Sequence, residues 1–143
     1  MGDLSAFLAT NAEKIEMKEV VISNRFKDSE GNPIPWKIKP ISAKEDFNIK
    51  KTCTQRKPIK GMRGQYTEYT DTDAYVNKML AACVVYPDLK DAGLQESYGV
   101  MGAADLLITM LSSGEMTRLM DAVQEVNGTD EDFEDKVEEV KNV

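Results

Sequence analysis

Apolar positions along this chain recur at two periods, and they predict helices joined around one β-hairpin. Asp3–Ala12 predicts a short helix, capped by Asp3, with Leu4, Phe7 and Leu8 on one face and Ile15 further along. Alternation around Val20, Ile22 and Arg25 predicts a strand from about Met17 to Phe26. The turn cluster "KDSEGNP" follows. Ile34, Trp36 and Ile38 then predict a second strand, which Pro35 and Pro40 mark as short or at an edge. A two-stranded hairpin over about residues 17–39 is marginal alone and requires helices against it.

Downstream, Ser42-Ala-Lys-Glu45 is a capping-box pattern opening a helix to about Thr54, with Phe47 and Cys53 as its sparse apolar face. The stretch from Gln55 to Thr70 predicts a loop of about sixteen residues. Thr70 or Asp71 caps a helix running to Tyr86, with Tyr75, Met79, Leu80 and Cys83 on its face, widened by Val76 and Val84, and Pro87-Asp88 ends it. "DLKDAGLQESYG" predicts a short helical turn closing at Gly99. From Gly102, Ala103, Leu106, Leu107, Met110 and Leu111 mark one helical face. A second capping box, Ser112-Ser-Gly-Glu115, opens a helix with Met116, Leu119, Met120, Val123 and Val126 in its stripe, and Asn127-Gly128 stops it. Thr129-x-x-Asp132 caps a last acidic helix carrying Phe133, Val137 and Val140. The expected fold is α+β, mainly α, with five to six helices and one β-hairpin. Residues 1–128 form a single domain, and 129–143 an acidic tail, helical or disordered.

Charge changes this picture more than composition does. The 143 residues are 41% hydrophobic and 30% charged, an ordinary globular balance. No apolar run approaches the roughly 18–20 residues of a membrane span. The first residues lack the basic-then-apolar pattern of a signal peptide, and Ala6 stands where a myristoylation motif needs Ser or Thr. Cytoplasmic location is expected. Residues 129–143 hold seven acids and two lysines, whereas Lys37 to Arg63 holds nine bases and two acids. An acidic protein thus carries one basic belt.

Candidate chemistry is sparse. Gly99-Val-Met-Gly102 lacks the Lys-Ser/Thr of a phosphate loop and lies among acids, so it predicts a turn that aims the following helix. Helices 103–111 and 115–127 have the lengths of a helix-turn-helix. The second carries Glu115, Asp121 and Glu125 against Arg118 alone, which DNA phosphates repel. Without histidine, acid–base work falls to carboxylates or lysines, and no spacing singles out a pair. Cys53 and Cys83 form no C-x-x-C pair, and the acidic tail lacks the glycine of a calcium loop. No catalytic, cofactor or metal residues are therefore assigned. The segment 50–63, with Arg56, Lys57, Lys60 and Arg63 and the neighbouring Tyr66 and Tyr69, suits an acidic protein partner, the chain's own tail, or nucleic acid. Nucleic acid is the less favoured of these. Met101, Met110, Met116 and Met120 crowd into twenty residues. Methionine suits adaptable binding grooves, yet stripes on adjacent helices normally face each other. Spacing favours core over groove and leaves both open.

The strings "DLSAFLATNAEKIE", "VVISNRFKDSEGNPIPWKIKPIS", "CTQRKPIKGMRGQYT" and "ACVVYPDLKDAGLQESYGVMGAADLLITMLSSGEMTRLMDAVQEVNG" resemble the XkdN-like family of phage tail assembly chaperones, found in prophages and defective prophage elements of Gram-positive bacteria. The resemblance spans nearly all of residues 3–128, and none of its strings encodes chemistry. It implies a non-enzymatic cytoplasmic protein that holds the tape-measure protein, helps recruit tail-tube subunits and is compatible with self-association. On that reading, Leu106, Leu107, Met110, Leu111, Met116, Leu119 and Met120 would contribute a client groove, and the basic segment would tune binding. The alternative is a nucleic-acid-binding phage regulator using residues 50–63.

Overall fold

The computed structural model describes residues 4–129. Its elements are β1 (Lys18–Val20), β2 (Trp36–Ile38), α1 (Ala43–Thr52), β3 (Thr54–Pro58), β4 (Tyr66–Thr70), α2 (Thr72–Cys83), β5 (Val84–Tyr86), α3 (Ala92–Ser97), α4 (Ala103–Met110) and α5 (Ser113–Val126). The fold is α+β. Two antiparallel sheets accompany the helices: a three-stranded one in the order β1-β2-β5, and the two-stranded β3-β4.

Alternation explains β2. Trp36 and Ile38 are buried while Lys37 between them is exposed, as a strand with one face on the core requires. β1 pairs with it in the register Lys18↔Ile38 and Val20↔Trp36. The expected first strand, Met17–Phe26, is cut to three residues, and the rest of the connection bends inward to bury Ile22 and Ser23. β2 is short, three residues, as its flanking prolines predict, and it is the central strand of its sheet. Pro35 and Pro40 flank it instead of interrupting it, and Lys37 and Ile38 pair on the other side with Tyr86 and Val84 of β5.

That third strand lies where the sequence reading carried a helix on to Tyr86. α2 stops at Cys83, and Val84 adopts an extended conformation. Val84-Val85-Tyr86 is a β-branched and aromatic run, which prefers a pleated surface once a partner strand is available. Residues 55–70 depart further from expectation. They form the β3-β4 hairpin in continuous register from Thr54↔Thr70 to Pro58↔Tyr66. Basic residues masked a Thr/Tyr-rich strand pair, and Gly61 and Gly64 turn the chain at its tip. The expected N-terminal helix is a single 3₁₀ turn at Ser5–Phe7, with Leu4, Phe7 and Leu8 exposed. So short a helix with no surface to cover gains too little to pass nucleation. The expected acidic helix from Thr129 lies, beyond Thr129 itself, outside the described residues.

The helix starts follow the sequence. Side chains of Ser42, Asp71, Asp91 and Ser112 each accept from the backbone N–H three residues on. One buried cluster joins the layers: Ile22, Trp36 and Ile38 from the sheet side meet Leu80, Cys83, Leu106, Leu107, Leu119 and Val123 from α2, α4 and α5. Phe26 packs its ring 6.3 Å from that of Trp36.

The long connection between β1 and β2 is tied to α5 by ions. Arg25 donates from Nε to Glu115 Oε2 at 3.1 Å and from Nη2 to Oε1 at 2.5 Å, and also to the Met110 carbonyl at 2.7 Å. Glu115 meanwhile completes its capping box by accepting from Ser112 N–H at 2.8 Å. Arg118 donates to the Ile22 carbonyl, and Lys18 pairs with Glu125.

Candidate interaction surfaces

The apolar stripe of α4 and α5 faces inward. Leu106, Leu107, Met110, Leu111 and Leu119 are buried, and Met116 and Met120 are half-buried against the same cluster. In this structure these side chains are therefore part of the core cluster. Each helix turns its apolar face to the same buried cluster. Met101 behaves differently. It lies ahead of α4, is 88% exposed, and belongs to a surface the sequence reading did not single out.

That surface is an open groove of about 670 Å³ between α1, α2, β5 and the start of α4. Its lining includes four alanines, Ala81 and Ala82 of α2 with Ala103 and Ala104 of α4, and the exposed Val85 and Met101. Lysines and carboxylates are mixed in its wall: Lys39, Lys78 and Lys90 with Glu45, Asp88 and Asp105. Small residues let another helix approach closely, and a mixed-charge wall carries no strong sign preference. The signal for it in the sequence was faint, since paired alanines on two helices become one surface only when those helices pack side by side.

Gly102 sets the direction of α4. Its φ of 105° lies where side-chain-bearing residues rarely go. Its N–H donates to Gln95 Oε1 at 3.1 Å, and Gln95 Nε2 in turn donates to the Leu89 carbonyl. The Gly99–Gly102 stretch is therefore a braced turn, and the amide at its helix end already has a partner.

The four basic candidates gather on the β3-β4 hairpin. Arg56 and Lys57 sit on opposite faces of β3, and Lys60 and Arg63 on its tip, all exposed. Each strand cation is held over a ring: Arg56 at 4.8 Å from the Tyr66 centroid and Lys57 at 4.4 Å from that of Tyr69. On α1, Lys51 lies over the exposed Phe47. These basic residues and the inward stripe of α4 and α5 do not form one site.

The titratable groups that shift are braces. Tyr75 donates to Asp46 at 2.5 Å, which pushes the phenol up to about 12 and links α2 to α1. Burial pushes the Cys83 thiol up, against a hydrogen bond from Asn127. Cys53 and Cys83 are free and buried. The Arg25 guanidinium, with help from the Ser112 N–H, holds the Glu115 carboxyl well below the usual carboxylate range against the opposing effect of burial. Among the described residues, no group of three or more His, Cys, Asp or Glu lies close enough to hold a metal ion. No described helix is long and apolar enough to cross a membrane.

The model of the phage XkdN-like tail assembly chaperone family matches residues 4–141. The chain is 33% identical to the phage-like element PBSX protein XkdN of Bacillus subtilis over 141 residues, covering 98% of this chain and 94% of that one. It is 34% identical to the uncharacterized protein YqbN of the same organism, covering 98% and 93%. The crystal structure of YqbN superposes with a TM-score of 0.73 at 27% identity, over 90% of this chain and 98% of that one.

Proposed function

The chain belongs to the XkdN-like family of phage tail assembly chaperones, and from that premise we propose that it holds the tape-measure protein and helps bring tail-tube subunits to it in the host cytoplasm, without catalysis. The family match over residues 4–141 carries this reading. Residues 1–128 are the working domain in it, and 129–143 an acidic appendage that keeps the loaded complex soluble.

A holder of a long helical client needs a surface that accepts helices without demanding one sequence. The alanine-rich groove between α2 and α4 supports such a role. Its small residues leave room for an incoming helix, and Met101 at its edge is a flexible apolar contact. Each contact is weak, and many chaperones along one client hold it by multivalency.

Co-expression with the tape-measure and tail-tube proteins of the same phage, followed by pull-down, tests the reading. The expected result is capture of the tape-measure protein, with the tube protein joining only in its presence. Failure to capture either one overturns it. Met101→Glu tests the groove. Burying a methionine contributes about 1.5–3 kcal/mol, so affinity for a tape-measure fragment should fall by about tenfold or more while the melting temperature stays put.

A further inference from the structure

We infer that two copies of this chain join strand to strand along the open edge of β4, as an antiparallel pair centred on Thr67. Backbone hydrogen bonds define that edge. Ile59 N–H donates to the Gln65 carbonyl and Asp71 N–H to the Cys53 carbonyl, at the two ends of the β3-β4 register. Bonded pairs alternate in an antiparallel ladder, so the odd-numbered residues turn their amides and carbonyls into the hairpin. Those of Tyr66, Glu68 and Thr70 point away from it on the β4 side. All of β4 but Thr70 is exposed, and among the described residues only β3 pairs with it. An unpaired edge is a template for another strand unless it is short or blocked. β1 and β5 are three residues long. β3 carries Pro58, whose missing N–H falls on its outer side, along with Arg56 and Lys57. β4, Tyr-Thr-Glu-Tyr-Thr, is β-branched and aromatic and has no proline.

Charge points to a second copy as the occupant and sets the register. Centring the pair on Glu68 would place two carboxylates side by side, which is unfavourable. Centring it on Thr67 places Tyr66 against the second copy's Glu68, and such a pair exchanges two main-chain hydrogen bonds. That Glu68 then stands beside the ring on which Arg56 rests, 4.8 Å from its centroid. The same register carries the hairpin tip, with Lys60 and Arg63, to the second copy's Asp71 and Asp73 at the start of α2, and brings Arg63 level with Asp71. Asp71 caps Ala74 N–H through Oδ1 and keeps Oδ2 to offer. The described salt bridges are Lys18–Glu125 and Arg25–Glu115, so neither pairs Arg63 within its own chain. Opposite charges thus meet at both ends of the contact, because a two-fold axis repeats each of them. Thr67 meets its own copy at the centre, a β-branched pair on the face shared with Lys57 and Tyr69. The joined chains carry two grooves between α2 and α4, but the pairing stands on the strand edge and not on any client.

Sedimentation equilibrium of the full chain tests the pairing against Glu68→Pro. The Glu68 N–H points outward, so proline there removes an edge donor and leaves the β3-β4 ladder bonds in place. The parent's average mass should climb toward twice the chain mass as concentration rises, and the variant should stay at the chain mass. A parent that stays monomeric, or a folded variant that dimerises as the parent does, overturns the inference. Thr67→Cys gives a second reading that spares the backbone. In the non-hydrogen-bonded pair at the centre the Cα atoms lie about 4.5 Å apart, within reach of a disulfide. Mild oxidation should cross-link this variant into a dimer on a non-reducing gel. It should do so about tenfold or more faster than Lys57→Cys, which shares the face but lies on the outer strand, because a held pair raises the local thiol concentration. Cys53 and Cys83 are buried, so the parent serves as the blank. Equal rates for the two cysteine variants overturn the pairing, whatever Glu68→Pro does to the fold.

Discussion

Glu115→Gln isolates the charge that joins the β1-β2 connection to α5. The substitution keeps the side chain's volume, so it opens no cavity. It replaces one carboxylate oxygen by an NH₂ group, and the Arg25 fork loses one of its two acceptors. The magnitude follows from exposure. The Glu115 side chain is 7% exposed and that of Arg25 55%. A fully exposed pair contributes about 0.2–1 kcal/mol, whereas breaking a fully buried one costs about 3–5 kcal/mol. With one partner buried and the other able to hydrate, we expect a loss of about 2 kcal/mol at neutral pH. For a fold of this size that lowers the melting temperature by about 6–10 °C.

The pH dependence gives the sharper test. The folded-state carboxyl lies below its ordinary value of 4.5. Its contribution is therefore complete above that value and is lost as pH falls toward the folded one. Below the ordinary value the parent loses up to about 1.4 kcal/mol per pH unit through this group, and the variant loses none of it. Thermal unfolding followed by circular dichroism from pH 7 to 3 should show two melting temperatures that converge as pH falls below about 4.5. A gap that stays constant, or no gap at pH 7, would refute the reasoning.

Leu106→Ala should cost about 2–5 kcal/mol in chemical denaturation, because this side chain is fully buried; a change in client affinity with unchanged stability would return the α4 stripe to the surface. Gly102→Ala forces a side chain into φ 105° where nothing crowds it, so backbone strain alone should lower stability by about 1–2 kcal/mol. Asp71→Ala removes the acceptor for Ala74 N–H and should cost about 1 kcal/mol, with the β3-β4 amides that adjoin Asp71 exchanging faster. Ala82→Arg should fill the groove between α2 and α4 and abolish tape-measure capture; a basic residue near the end of α2 is favourable to the helix itself, so unfolding is not the expected outcome.

Local chemistry was legible without coordinates. Capping at Ser42, Asp71 and Ser112 depends on a side chain three residues from the amide it serves, and all three caps form. The i, i+3, i+4 spacing of α4 and α5 likewise marked true helices and their true apolar faces. The family strings were legible too, since they run along the chain. What those faces met was not. The α4 stripe became core only because α2, α5 and β2 surround it, and periodicity reports that a face is apolar, not what covers it. β5 and the β3-β4 pair escaped the reading for a related reason. A strand is stabilised by a partner elsewhere in the chain, so Val84–Tyr86 read as the end of a helix until Lys37 and Ile38 lay beside it. The groove and the Arg25–Glu115 pair, ninety residues apart in sequence, belong to the same class. The sequence by itself determined which segments coil, where they start and which side is greasy. Only the tertiary structure decided which surfaces remain open, because packing brings together residues whose separation along the chain carries no signal.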